Sequence, residues 1–72
     1  MQRYNYDKLL GKIKERHYTQ ERLAVEMGIS ACSLNLTLNN KRNFRQDEIL
    51  TLTRILKIPS RDIEDYFFTH VV

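Results

Sequence analysis

Cysteine is almost absent from this chain. Cys32 is the only one, so it has nothing to pair with internally, and a disulfide-stapled fold is excluded. That usage suits a reducing cytoplasm. Long apolar runs are also missing. The longest extend a few residues, against about 20 for a bilayer-spanning helix, and the N-terminus lacks the apolar stretch of a signal peptide. A soluble, unexported protein with no membrane contact is therefore expected. No repeat, low-complexity segment or linker interrupts the chain. No paired acid and base, activated nucleophile or phosphate-binding loop is present, so neither an enzyme nor a small-molecule substrate is expected. Cys32 has no His or second Cys at ligand spacing, and His17 and His70 lie far apart, so no metal site, catalytic residue or cofactor is expected. Cys32 reads as a small semi-apolar surface residue, and the two histidines as polar loop or tail residues.

What is present suits one domain spanning residues 1–72. The chain has 72 residues, 42% of them hydrophobic and 29% charged, which leaves little interior to divide between two cores. Its net charge of +3 permits nucleic-acid binding without demanding it. The distribution says more. Arg3, Lys8, Lys12, Lys14, Arg16 and Arg22 outnumber Asp7, Glu15 and Glu21 in the first 22 residues, whereas Asp62, Glu64 and Asp65 cluster near the end. From Ile29 to Asn40 there is no charged residue at all.

Hydrophobic periodicity predicts five short helices. Tyr6, Leu9, Leu10 and Ile13 recur at three- and four-residue spacing, giving an amphipathic helix over about 6–16. Thr19 is a cap for a second helix with Leu23, Ala24 and Met27 inward, and Gly28 supplies the left-handed conformation that ends it. Ser30 caps a third helix over about 31–38, buried along Leu34 and Leu38 and closed by Asn39 and Asn40. Phe44 and Ile49 suit a hydrophobic staple around a fourth helix with Ile49, Leu52, Thr53 and Leu56 inward, although its capping position holds Arg45, a poor cap. Pro59 stops that helix, and Ser60 caps a fifth running to about Tyr66. Phe67 to Val72 have strong β propensity and read as an extended tail, 67–72, that folds back on the core or meets a second subunit.

The second and third helices, joined at Gly28, have the spacing of a helix-turn-helix: small Ala24 where two helices cross closely, glycine in the turn, and Leu34 behind the second helix. Thr19-Gln20, Leu23-Ala24, Gly28-Ile29-Ser30 and Leu38-Asn39-Asn40-Lys41 resemble, in order and spacing, the Cro and phage-repressor proteins, also called the Xre family. The likeness covers about residues 6–66. Tyr6-Asp7-Lys8-Leu9, Leu38-Asn39-Asn40-Lys41-Arg42 and Asp65-Tyr66-Phe67-Phe68 bring the chain nearest to short proteins of phages of Gram-positive bacteria, among them Cro-like repressors and antirepressors of the modulator-of-repression type. The resemblance implies an all-α, compact five-helix lambda-repressor-like DNA-binding domain with a helix-turn-helix at about 19–39, working in the cytoplasm of a bacterial host in a lysis/lysogeny switch.

In DNA-binding relatives the third helix enters the major groove. Carried over, Gln20, Ser30, Asn40, Lys41 and Arg42 would hold phosphate, and a turn of about 100° per residue aims Ala31, Cys32, Asn35, Leu36 and Asn39 at the bases. The expected partner is double-stranded operator DNA, bound by a homodimer on a palindrome. On that face only Asn35 and Asn39 are able to pair bidentately with a base, in each case adenine. The competing use is a protein-docking surface. Cys32, Leu36 and Asn39, with Arg42 and Arg45 beside them, would bind the DNA-binding domain of the CI-type phage repressor and block its operator binding, because interface cores are depleted of charge.

Overall fold

The computed structural model describes residues 3–71. Five helices account for most of them: α1 (Asp7–Glu15), α2 (Gln20–Met27), α3 (Ala31–Leu38), α4 (Gln46–Leu56) and α5 (Ile63–Phe67), the last preceded by a 3-10 turn, Ser60–Asp62. No strand is formed among the described residues, as the all-α expectation requires.

Two of the expected caps form. The Thr19 hydroxyl accepts the Arg22 N–H at 3.1 Å, and the Ser30 hydroxyl accepts the Ser33 N–H at 3.0 Å, satisfying donors that a helix start leaves without internal partners. The helix ends follow one rule. At the close of α1, α2, α3 and α4 a residue takes a left-handed conformation: His17 at φ 63°, Gly28 at 77°, Asn40 at 61° and Lys57 at 55°. Each time its N–H reaches the carbonyl three residues back, and the next N–H reaches the carbonyl five back, as in Tyr18 to Ile13 O, Ile29 to Ala24 O, Lys41 to Leu36 O and Ile58 to Thr53 O. This is the Schellman closure, and it pairs two otherwise orphaned carbonyls per helix. Open space surrounds the position a Cβ would occupy at Gly28, so backbone conformation and not crowding is what calls for glycine there.

Two boundaries differ from expectation. Lys57, not Pro59, stops α4, because burial of Ile58 draws the chain inward immediately afterwards. Ser60 does not cap: the extended Pro59 holds that place, and Ser60 is the first residue of the 3-10 turn.

One apolar cluster joins all five helices. Leu9 and Ile13 from α1, Leu23 and Ala24 from α2, Leu34 and Leu38 from α3, Leu52 and Leu56 from α4, and Tyr66 and Phe67 from α5 are buried, with Tyr6 and Ile58. A chain of edge-on rings, Tyr6 to Phe44 at 5.5 Å and Phe44 to Phe67 at 5.3 Å, ties the start of α1 to α5 through the α3–α4 loop. Phe67 is therefore a helical core residue and not the start of an extended tail. Only the next few residues run extended, where Asn5 donates to Thr69 O at 2.6 Å and Val71 donates to Arg3 O at 3.2 Å around a Tyr4–His70 bridge. The tail thus folds back on the N-terminal segment. Phe68 and Val71 stay partly exposed, and Val72 lies outside the described residues.

Two buried polar residues complete the interior. Thr37 donates its hydroxyl to Ser33 O at 2.9 Å, which satisfies it inside the α3 packing face. Glu48, in the first turn of α4, accepts the Arg45 N–H at 2.9 Å and both guanidinium nitrogens of Arg42, at 2.8 and 3.3 Å. Arg45 has no acceptor in its side chain, so Glu48 supplies the carboxylate half of a capping box and α4 starts without a side-chain cap. Burial pushes the Glu48 carboxyl up, but the Arg42 and Arg45 contacts outweigh it and hold the group below its ordinary value.

A carboxyl held low contributes stability above its unfolded pKa and loses it as pH falls through the lower folded value. Glu48→Gln is expected to lower unfolding free energy at neutral pH by about 1–3 kcal/mol and to flatten the decline toward acid. Urea titrations of both proteins between about pH 7 and pH 2 check this. Parallel curves would show that the ion pair carries no pH-linked stability.

Candidate functional site

The outward side of α3 is the most distinctive surface. Leu34, Thr37 and Leu38 turn inward, which leaves Ala31, Cys32, Asn35, Leu36 and Asn39 exposed, all five as expected. None is charged. Leu36 is 41% exposed and stands on this face with the free thiol of Cys32. Both asparagine amides already work within the protein. Asn35 Nδ2 donates to Gln20 Oε1 at 3.3 Å, and Asn39 Nδ2 donates to Asn35 O at 2.8 Å. Pairing either one with adenine through amide nitrogen and oxygen would compete with, or share, an existing bond.

Most of the residues expected at phosphate have internal work too. Gln20 buttresses Asn35 from the first turn of α2, and Ser30 is the α3 cap. Arg42 is fixed on Glu48 and Asn43 O, with its side chain only 30% exposed. Asn40 has the largest structural part. Its Oδ1 accepts the Tyr4 N–H at 2.8 Å while its Nδ2 donates to Tyr4 O at 2.9 Å, so the carboxamide pairs with that residue as a neighbouring strand would. Lys41, exposed, makes no ion pair among the described residues. Arg45 is likewise exposed beside the Arg42–Glu48 pair.

Three contributors escape a reading along the chain. Thr37 holds the inner face of α3, Glu48 neutralises Arg42 in the basic loop, and Tyr4 supplies the backbone that Asn40 grips. The third position of a helix is where a capping glutamate belongs, so Glu48 had a local signal. Nothing local points from Asn40 to Tyr4, 36 residues away.

Five helices around one cluster, with an uncharged exposed helix face flanked by a basic loop, define a small all-helical protein. The chain belongs to the family described as "protein of unknown function (DUF739)", which matches residues 2–70. Its structure is similar to the solution structure of the modulator of repression of the temperate bacteriophage TP901-1 from Lactococcus lactis, at 43% identity and a TM-score of 0.77, covering 90% of this chain and 88% of that one. No curated protein matches. Of the two kinds of short phage protein that the sequence resembles, the modulator of repression is the one this likeness meets.

The Asn40 clamp makes a separable prediction. Asn40→Gly keeps the left-handed backbone but removes both bonds to Tyr4, and each lost bond is worth about 0.5–1.5 kcal/mol. Asn40→Ala adds the strain of a Cβ at positive φ and is expected to be the worse of the two. Denaturant melts rank the variants, and hydrogen exchange at the Tyr4 amide should quicken in both.

Proposed function

We propose that this chain modulates repression in a temperate-phage genetic switch by binding the phage repressor, with the exposed face of α3 docked on the repressor's DNA-binding domain so that operator DNA is excluded. The observation that carries this reading is the face itself: five exposed residues without charge, centred on Leu36 and Cys32, on a helix whose neighbouring Arg42 is already neutralised by Glu48. Interface cores are poor in charge and gain from desolvating such patches, whereas a DNA reader needs unpaired cations around its recognition helix. The likeness to a modulator of repression supports the same conclusion.

A second reading keeps the helix-turn-helix as a Cro-like operator binder. The Gln20–Asn35 contact favours it, because it sets the start of α2 beside the middle of α3 as a helix-turn-helix requires. On that reading Asn35 and Asn39 would read adenine, Lys41 would reach phosphate, and a homodimer would span the palindrome.

Calorimetric titration with the cognate repressor, alongside a mobility-shift assay in which this chain, the repressor or both meet operator DNA, separates the two. Docking predicts a defined complex and release of the repressor from its operator. Leu36→Glu and Cys32→Arg should each weaken that complex on the order of 30-fold or more, as loss of a central contact does. A specific shift by this chain alone, lost in Asn35→Ala and steeply salt-dependent, would favour the operator-binding reading instead.

A further inference from the structure

A groove of about 330 Å³ opens between the first turn of α1, the terminal extended segments and the C-terminal end of α3. Asn39 belongs both to its lining and to the exposed face of α3, so the groove adjoins that face at Asn39. Leu10, 38% exposed, and Val71, 49% exposed, give it accessible apolar surface. Its polar lining is unevenly committed. The Asn40 carboxamide is engaged by the Tyr4 backbone and the Asn39 amide nitrogen by Asn35 O, whereas the Asn39 side-chain oxygen keeps its acceptor sites. Asp7 also lines the groove, is exposed, and forms no ion pair among the described residues, whereas Lys8, Lys12 and Arg42 all have acidic partners. Among the described residues, Arg3 is the single cationic side chain in the lining.

Apolar surface next to a carboxylate suits an amphipathic cation, whose aliphatic stem covers the leucine and valine while its head reaches Asp7. A surface that binds DNA is basic, because phosphate neutralisation dominates its affinity. A partner that covers such a surface with the uncharged α3 face alone would bury the repressor's cations without counter-charges, which is strongly unfavourable. Asp7, which shares the groove lining with Asn39, is a carboxylate able to supply such a counter-charge.

We infer that this groove takes a lysine or arginine side chain from the basic DNA-binding surface of the repressor, with Asp7 as its counter-charge and Leu10 and Val71 against its stem. The assignment rests on the docking reading above and adds to it a charged anchor outside α3. It also opposes direct operator binding through this edge, since Asp7 would face phosphate.

The test is titration of the purified chain and its variants against the cognate repressor at low and high salt. Asp7→Asn should raise Kd about tenfold at low salt, with the loss shrinking as salt rises, as truncation of a partly buried charge pair does. Asp7→Glu, which keeps the charge, should stay close to the unsubstituted chain, and Arg3→Glu should bind as well or better. Thermal melts of the variants report on folding. Restored binding when Asp7→Lys meets a repressor carrying one Lys or Arg→Glu substitution would identify the paired cation. If the chain binds and Leu36→Glu abolishes binding, but Asp7→Asn leaves Kd unchanged, the groove assignment falls and docking stands. The assignment also falls if Asp7→Asn strengthens binding and Arg3→Glu weakens it, because the groove would then take an anionic group. No complex with the unsubstituted chain overturns both readings.

Discussion

The carboxamide of Asn40 is the contact on which the arrangement of this protein most depends. One residue performs three tasks. Its left-handed backbone ends α3, its oxygen accepts the Tyr4 N–H, and its nitrogen donates to Tyr4 O. Tyr4 is flanked by Arg3 and Asn5, whose backbone groups pair with Val71 and Thr69. The N-terminal segment therefore lies between the C-terminal tail and a side chain that acts as a second strand. Residues 3–5 and 69–71 are thereby held together at the C-terminal tip of α3. Asparagine is suited to this position because it tolerates positive φ better than other residues with side chains and offers both a donor and an acceptor.

The same contact explains what the sequence made legible and what it hid. Thr19, Gly28 and Ser30 could be placed from the chain alone because each acts on backbone groups within a few residues. The inner stripe of α3 was legible for Leu34 and Leu38 for the same reason, whereas Thr37 reads as polar until its hydroxyl is seen bonded to Ser33 O. His17 and Lys57 were not legible as helix ends. Neither residue type announces a left-handed conformation, which is held in place here by the packing of half-buried Tyr18 and the burial of Ile58 just beyond. Asn40 was legible as a helix terminator, but its grip on Tyr4 is a long-range property. The extended tail begins later than its β propensity suggests, because that propensity describes Phe67 in isolation, while the slot between Phe44 and the core rewards a ring on the last turn of α5.

Charge shows the same division between local and global information. Lys41, Arg42 and Arg45 lie close together in the sequence, yet Glu48 takes Arg42 out of that set and draws the Arg45 backbone to the start of α4. The loop's outward charge is thereby reduced to Lys41 and the Arg45 side chain. Burying the Glu48 carboxylate is tolerable only because three donors meet it, so the pair is better understood as fixing the α3–α4 connection than as adding net stability.

That reduction bears on which partners the outward face of α3 suits. A helix-turn-helix that reads DNA needs a cationic margin to hold phosphate and a helix face with side chains free to meet base edges. Here the margin is partly neutralised from within, and both asparagines on the face are already hydrogen-bonded. None of this disturbs the packing, because Leu34, Thr37 and Leu38 are the only residues through which α3 is anchored in the interior. The outward residues are consequently free of structural duty apart from two amide bonds. A helix so anchored can exchange a charged outward surface for an uncharged one by substitutions that leave the core untouched, so the charge around α3 is set independently of its packing.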